Sequence, residues 1–225
     1  MDLEFPRIIT IDGPSGSGKG TISQLLATQL GWHLLDSGVL YRIVGLVAIL
    51  QNLRPTDPAL LKLTQTISIK FIDKKILLQG QNIAEDIRTE SVGNMASQIA
   101  AFPAIRSALL AKQRSFARPP GLVADGRDMG TLVFPDAQIK IFLTASAEER
   151  AKRRYNQLKE QGLHVNLEEI TRGLYERDER DQTRSAAPLK AAASALVIDS
   201  TGITIKDVLQ QLLTQVKTCF PELRI

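Results

Sequence analysis

Cysteine and histidine are almost missing from this chain of 225 residues: Cys219 stands alone, and the histidines are His33 and His164. A single thiol cannot close an intramolecular disulfide, which agrees with a reducing compartment, and so few soft ligands make no zinc cluster. Aromatic residues are 5% of the chain, and the net charge is only +4. That is too little stacking surface and too little charge for a nucleic-acid binder, so no such partner is expected. No apolar run reaches the length of a membrane span, and Met1-Asp2-Leu3-Glu4-Phe5-Pro6 lacks the basic and apolar regions of a signal peptide. The expected location is the cytoplasm, with no membrane partner. Internal repeats and low-complexity segments are absent too.

What is present is an apolar content of 44% beside 23% charged residues, enough for one sizeable α/β domain with inserts. The chain is organised around Gly13-Pro14-Ser15-Gly16-Ser17-Gly18-Lys19-Gly20-Thr21. It follows the apolar run Ile8-Ile9-Thr10-Ile11, read as a buried strand over 7–12, and opens a helix over 19–30 with Ile22, Leu25, Leu26 and Leu30 on one face. Strand, glycine loop and helix are the setting of a phosphate-binding loop: backbone N–H groups turn inward, the helix start adds positive charge, and Lys19 supplies a full charge near the β- and γ-phosphates. The residue after the lysine is Gly20, where the strict motif has Ser or Thr, and the hydroxyl arrives at Thr21. This ending resembles that of nucleoside-monophosphate kinases rather than that of GTPase switches or motor ATPases.

Along the chain, 33–36 reads as a strand presenting Asp36, Ser37 and Gly38 beside the loop. A buried helix over 39–53 carries Tyr41 and Arg42 in its first turn. The helix dipole disfavours an arginine there unless an anion accompanies it; the competing account is an exposed arginine whose stem lies on the core. Pro55 to Pro58 mark a boundary. Beyond a short helix at 59–65, alternating segments at 68–72 and 76–79 around a turn at Lys74 and Lys75 predict a small antiparallel sheet. Helices follow over 90–101, with Ser97, and 104–117, with Arg106. A buried strand at 122–124 ends in Asp125-Gly126-Arg127-Asp128-Met129-Gly130-Thr131, and Asp125 is placed where such folds hold a magnesium shell. After a strand at 139–143 come two helices, 147–161 and 167–184, joined by Gln161-Gly162-Leu163. The first bears Arg150, Arg153 and Arg154. On the second, Arg177, Asp181 and Arg184 share one face. Charge pattern alone favours a solvated helix laced with ion pairs; a lid over a polyphosphate needs the same arginines. A strand at 195–198 and a helix at 204–219 complete the chain.

These motifs together resemble bacterial cytidylate kinases, within the P-loop nucleoside-monophosphate kinases. The likeness is carried by Ile11 to Thr21, by Leu35-Asp36-Ser37-Gly38 with Tyr41-Arg42, by Ala124 to Thr131, by Phe134-Pro135-Asp136-Ala137, and by Glu176-Arg177-Asp178 through Arg184. It implies an α/β P-loop NTPase-type three-layer fold: a parallel central sheet, a small β-rich nucleotide-binding insert and a helical lid. All of 1–225 is then one kinase domain, with a monophosphate-binding insert at about 58–95 and a lid at about 150–184.

The resemblance implies transfer of the γ-phosphoryl group of ATP to CMP or dCMP, with Mg²⁺, by a monomer. Residues Gly13, Pro14, Ser15, Gly16, Ser17, Gly18, Lys19, Gly20 and Thr21, with Arg153, are expected at ATP, and Asp125 at the metal. Ser97, Arg106 and Asp128 would read the cytosine edge, while Asp181, helped by Tyr41 and Arg184, would hold the sugar. Ser37, Arg42, Arg127 and Arg177 would hold the acceptor phosphate, so that Lys19, Arg42, Arg127 and Arg177 form the catalytic set. The rivals are another P-loop small-molecule kinase and a nucleotide-switched binding protein.

Overall fold

The computed structural model describes residues 6–72, 75–160, 162 and 164–223. Asp73 and Lys74 of the expected hairpin turn, and Gln161 and Leu163 of the link between the arginine-bearing helices, lie outside the described residues. In chain order the elements are β1 (Arg7–Asp12), α1 (Lys19–Leu30), β2 (His33–Asp36), α2 (Ser37–Leu50), α3 (Pro58–Thr66), β3 (Ile69–Ile72), β4 (Lys75–Leu78), β5 (Gln81–Asn82), α4 (Glu90–Ile99), α5 (Pro103–Arg114), β6 (Gly121–Gly126), β7 (Ile139–Thr144), α6 (Ala147–Glu160), α7 (Leu167–Thr183), β8 (Leu196–Asp199) and α8 (Ile205–Cys219). A 3-10 turn at Asp86–Arg88 and a π turn at Met129–Val133 complete the set. Two compact units result: Met1–Asp36 with Arg114–Ile225, and Ser37–Gln113.

The first unit is built on a five-stranded sheet ordered β2-β6-β1-β7-β8, parallel throughout. All six residues of β6 are buried, as expected of a strand covered on both faces. Ile9, Ile11, Val123, Ile139, Ile141 and Leu143 from the sheet pack with Ile22 and Leu26 of α1 and with Val208, Leu212 and Val216 of α8. Register fixes the important edge. Asp36, ending β2, lies opposite Asp125 of β6, and Asp12, ending β1, lies opposite Gly126. Three neighbouring strands therefore deliver carboxylates to one end of the sheet, where the glycine loop departs from β1.

The second unit holds α2 to α5 and the antiparallel sheet β3-β4-β5, which adds a short third strand to the expected pair. Ile43 and Leu46 of α2 pack with Ile83, Ile87 and Val92. The helix α2 starts at Ser37, directly after β2, so Arg42 falls in its second turn, not its first. The dipole argument for an anion at Arg42 therefore does not hold, since the effect fades within one turn. Among the described residues no helix is long and apolar enough to cross a membrane.

Candidate active site

The loop after β1 curls through Gly16 and Gly18 at φ of +77° and +89°, the left-handed region that glycine enters without strain. Gly18 caps α1 without a side-chain hydrogen bond, so the first-turn N–H groups are not taken up by a capping side chain. Lys19 folds back over the loop, and its Nζ donates to the Pro14 carbonyl at 3.0 Å. Burial, reinforced by the nearby Arg127 guanidinium, lowers the lysine to about 8, against the pull of Asp125, Asp36 and Asp181. Loop N–H groups at a helix start, with a buried lysine and a half-buried arginine beside them, suit a polyanion.

Asp125 is the counterweight. Burial raises its carboxyl to about 7; Lys19 and Arg127 oppose the rise, and Asp36 adds to it. A desolvated carboxylate beside a second one fits a hard divalent ion. Among the described residues no group of three or more His, Cys, Asp or Glu side chains could hold a metal, so an ion at Asp125 would need further ligands from water or phosphate. A Cβ on Gly20 would stand 3.3 Å from Asp125 Oδ2, a tight contact that the carboxylate would have to relieve by a small shift.

Arg127 leaves the end of β6 half-buried, with its guanidinium divided three ways. Nε donates to Asp181 Oδ2 at 2.8 Å, Nη2 to Ser15 Oγ at 2.8 Å and Nη1 to the Gly126 carbonyl at 3.2 Å. Burial works against its charge, but the carboxylates, Asp181 foremost, outweigh it and hold the group above the ordinary arginine range. Arg184 Nη1 stands 3.8 Å from Asp181 Oδ1, but α7 ends at Thr183, so Arg184 lies just past the helix rather than on its face. Arg177 is half-buried on α7, and Asp128 is buried at the start of the π turn.

Two further arginines tie α6 to the glycine loop. Arg150 is buried; it donates through Nη1 to Asp178 Oδ2 at 2.5 Å and to the Ser15 carbonyl at 3.1 Å, and through Nε to the Ala145 carbonyl at 3.1 Å. Arg153 reaches the Ser17 carbonyl at 3.3 Å and Ser200 Oγ at 3.0 Å, and it pairs with Glu149. The ion pairs of Asp178 and Asp181 thus leave α7 for Arg150 and Arg127, unlike those of a self-contained solvated helix.

In the second unit, Tyr41 and Arg42 lie on α2, Ser97 on α4 and Arg106 on α5. The Arg106 guanidinium sits over the Tyr41 ring, 5.8 Å from its centre, and donates to the Ala100 carbonyl at 3.2 Å. Arg42 Nη1 donates to the carbonyls of Ile87, at 2.7 Å, and Thr89, at 3.3 Å. Ser37 is buried at the first turn of α2, and Ser97 is half-buried.

Sequence reasoning missed Asp12 and the Arg150–Asp178 pair. Asp12 accepts the N–H groups of Met129 and Gly130, each at 2.8 Å, and so pins the segment carrying Arg127 and Asp128. Burial raises its carboxyl to about 6 despite those two bonds. Its position, an acid ending the strand before the loop, was the available signal.

A family model described as cytidylate kinase matches residues 9–218. The cytidylate kinase of Aeromonas salmonicida (strain A449) is 55% identical over 93% of this chain and 94% of its own. That of Shewanella loihica (strain ATCC BAA-1088 / PV-4) is 51% identical over 96% of each. Among solved structures, an uncharacterized protein from Eubacterium ventriosum ATCC 27560 has a TM-score of 0.52 at 13% identity, covering 94% of this chain and 98% of that one, a likeness of fold alone.

Proposed function

The chain belongs to the cytidylate kinase family, and from that premise we propose how its residues divide the work of moving the γ-phosphoryl group of ATP to CMP or dCMP. The products are ADP and CDP or dCDP. An acceptor oxygen forms a bond to the γ-phosphorus as the bond to the β–γ bridging oxygen breaks. The acceptor phosphate is already an oxyanion near neutrality, so the protein supplies no general base. What it supplies is position and charge.

The backbone of Gly13 to Thr21 cradles the ATP phosphates, and Lys19 follows the charge that moves toward the bridging oxygen. Arg153 adds to the donor side. Asp125, with Asp36 beside it, would hold Mg²⁺, which when bound would neutralise phosphate charge. Ser37, Arg42, Arg127 and Arg177 take the acceptor phosphate, and Asp181, Tyr41 and Arg184 the sugar. Ser97, Arg106 and Asp128 read the base, and buried polar groups left unpaired by the wrong base give the discrimination. Closure of α6 and α7 over the nucleotides keeps water from taking the acceptor's place.

The observation that carries this reading is the Arg127 guanidinium, which touches the donor loop at Ser15 and α7 at Asp181. The test is ATP consumption against a panel of nucleoside monophosphates. CMP and dCMP should accelerate it by orders of magnitude, and Lys19→Met should remove that acceleration. A nucleotide-switched binding protein would instead turn over slowly with every monophosphate, and steady-state rates near wild type for Lys19→Met would refute the assignment.

A further inference from the structure

The phosphate loop binds through backbone N–H groups, a task that needs no side chain at its third position. Ser15 nevertheless aims its hydroxyl at a specific partner: it accepts from Arg127 Nη2 at 2.8 Å. Its own carbonyl is held from another side by Arg150 Nη1 at 3.1 Å, so the residue that presents the hydroxyl is itself fixed. Arg127 Nε is meanwhile taken by Asp181 and Nη1 by the Gly126 carbonyl. Three anchors at three different nitrogens define the plane of the guanidinium. Two of them come from Arg127's own strand end and from α7; the third comes from the donor loop.

We propose that Ser15 is a positioning residue for the acceptor phosphate, acting through Arg127, although it belongs to the loop that binds the donor. The inference rests on the reading of Arg127 as an acceptor-phosphate ligand. A guanidinium carries five N–H donors in a rigid fork, and three are spent on the anchors, so the remaining two face the acceptor in a direction that the anchors set. Without the Ser15 hydroxyl, the Asp181 carboxylate and the Gly126 carbonyl still hold the group, but it is free to rotate about that line. The acceptor then meets a misaligned fork. ATP, bound by the backbone of a loop whose fold Arg150 and the glycines maintain, is little affected.

The test is steady-state kinetics on the full chain with Ser15→Ala, Ser15→Thr, Arg127→Met and the Ser15→Ala/Arg127→Met double variant, varying CMP and ATP separately. A hydrogen bond to a charged group corresponds to about tenfold, so Ser15→Ala should raise the KM for CMP about tenfold and leave the KM for ATP within about twofold. Ser15→Thr, which keeps the Oγ, should restore most of the loss. In the Arg127→Met background Ser15→Ala should cost nothing more, because the residue it acts through is gone. A rise in the KM for ATP equal to that for CMP, or penalties that multiply in the double variant, would overturn the inference while leaving the role of Arg127 standing. An Arg127→Met variant with a normal KM for CMP would overturn both.

Discussion

Replacing Asp178 by Asn tests whether α6 and α7 are clamped to the phosphate loop by a buried charge pair. The Arg150 and Asp178 side chains are only 8% and 11% exposed, and their atoms meet at 2.5 Å. Asparagine keeps the shape and one acceptor oxygen but removes the charge, which leaves a desolvated guanidinium with the carbonyls of Ala145 and Ser15 as partners. Breaking a buried pair from one side costs about 3–5 kcal/mol, and the retained acceptor places this case near about 3 kcal/mol. For a chain of this length that is a fall of about 6–12 °C in the melting temperature of the unit that contains the pair. Calorimetry or circular dichroism would measure it. A second variant separates stability from function: Arg150→Met with Asp178→Leu removes both charges and should recover most of the melting temperature. Its KM for ATP should stay raised, because the Ser15 carbonyl has lost the N–H that fixes the loop. A melting temperature for Asp178→Asn within about 1 °C of wild type, or a double variant as unstable as the single one, would refute the clamp.

Three other outcomes follow from the same electrostatics and packing. Lys19 is protonated below about 8 and neutral above it, so affinity for ATP should fall as pH rises through that value, with proton uptake in calorimetric titrations above it; flat affinity up to about pH 9 would contradict this. Asp125 has a folded-state value raised to about 7 from 3.8, so stability is fully present below the unfolded value and is lost as pH rises through the folded one. Asp125→Asn should therefore match wild type in unfolding free energy at about pH 4 and exceed it by about 4 kcal/mol at about pH 8, while turnover collapses. Gly20→Ser restores the strict motif yet places a Cβ 3.3 Å from Asp125 Oδ2; the carboxylate must shift, and turnover should drop several-fold with little change in melting temperature, whereas wild-type turnover would show that the glycine is not required for space.

The order of elements was legible because each segment's local signals agree with its tertiary role. The glycine loop sits between a buried apolar run and an amphipathic helix, and Pro103 and Gly31 punctuate the chain where helices start or stop. Strand order was not legible: β2-β6-β1-β7-β8 follows from which strands bury against which helices across more than 100 residues, and no local pattern encodes that. The helix start at Ser37 was missed by two residues because Ser37-Gly38 looks like a loop, while the end of β2 runs straight into the helix. That small slip put Arg42 inside the first turn and gave it a reason, the dipole, that the structure does not support. Its observed partners, the carbonyls of Ile87 and Thr89, lie 45 and 47 residues away in sequence.

Site residues divide along the same line. Lys19 and Asp125 could be picked out as candidates because the roles proposed for them depend on position relative to a single strand end, a local property. Asp12 satisfies the same rule and was passed over because its bonds run to Met129 and Gly130, 117 and 118 residues onward, and only the β1–β6 register brings those N–H groups within reach. Arg150 presents the opposite problem. Its sequence context, with Arg153 and Arg154 close by, marks a group of arginines without ranking them. The structure ranks them by burial and partners: Arg150 is enclosed, paired with Asp178 and bonded to the loop backbone, Arg153 is bonded to Ser17 and Ser200, and Arg154 bonds to Gln157 on its own helix. Arg153 is committed as well, with Nε on Glu149, Nη1 on the Ser17 carbonyl and Ser200 Oγ, and Nη2 on the Ser200 carbonyl at 2.7 Å. Arg150 and Arg153 therefore both hold the backbone of the donor loop, at Ser15 and Ser17, and either one meets a nucleotide only by exchanging those bonds for phosphate oxygens.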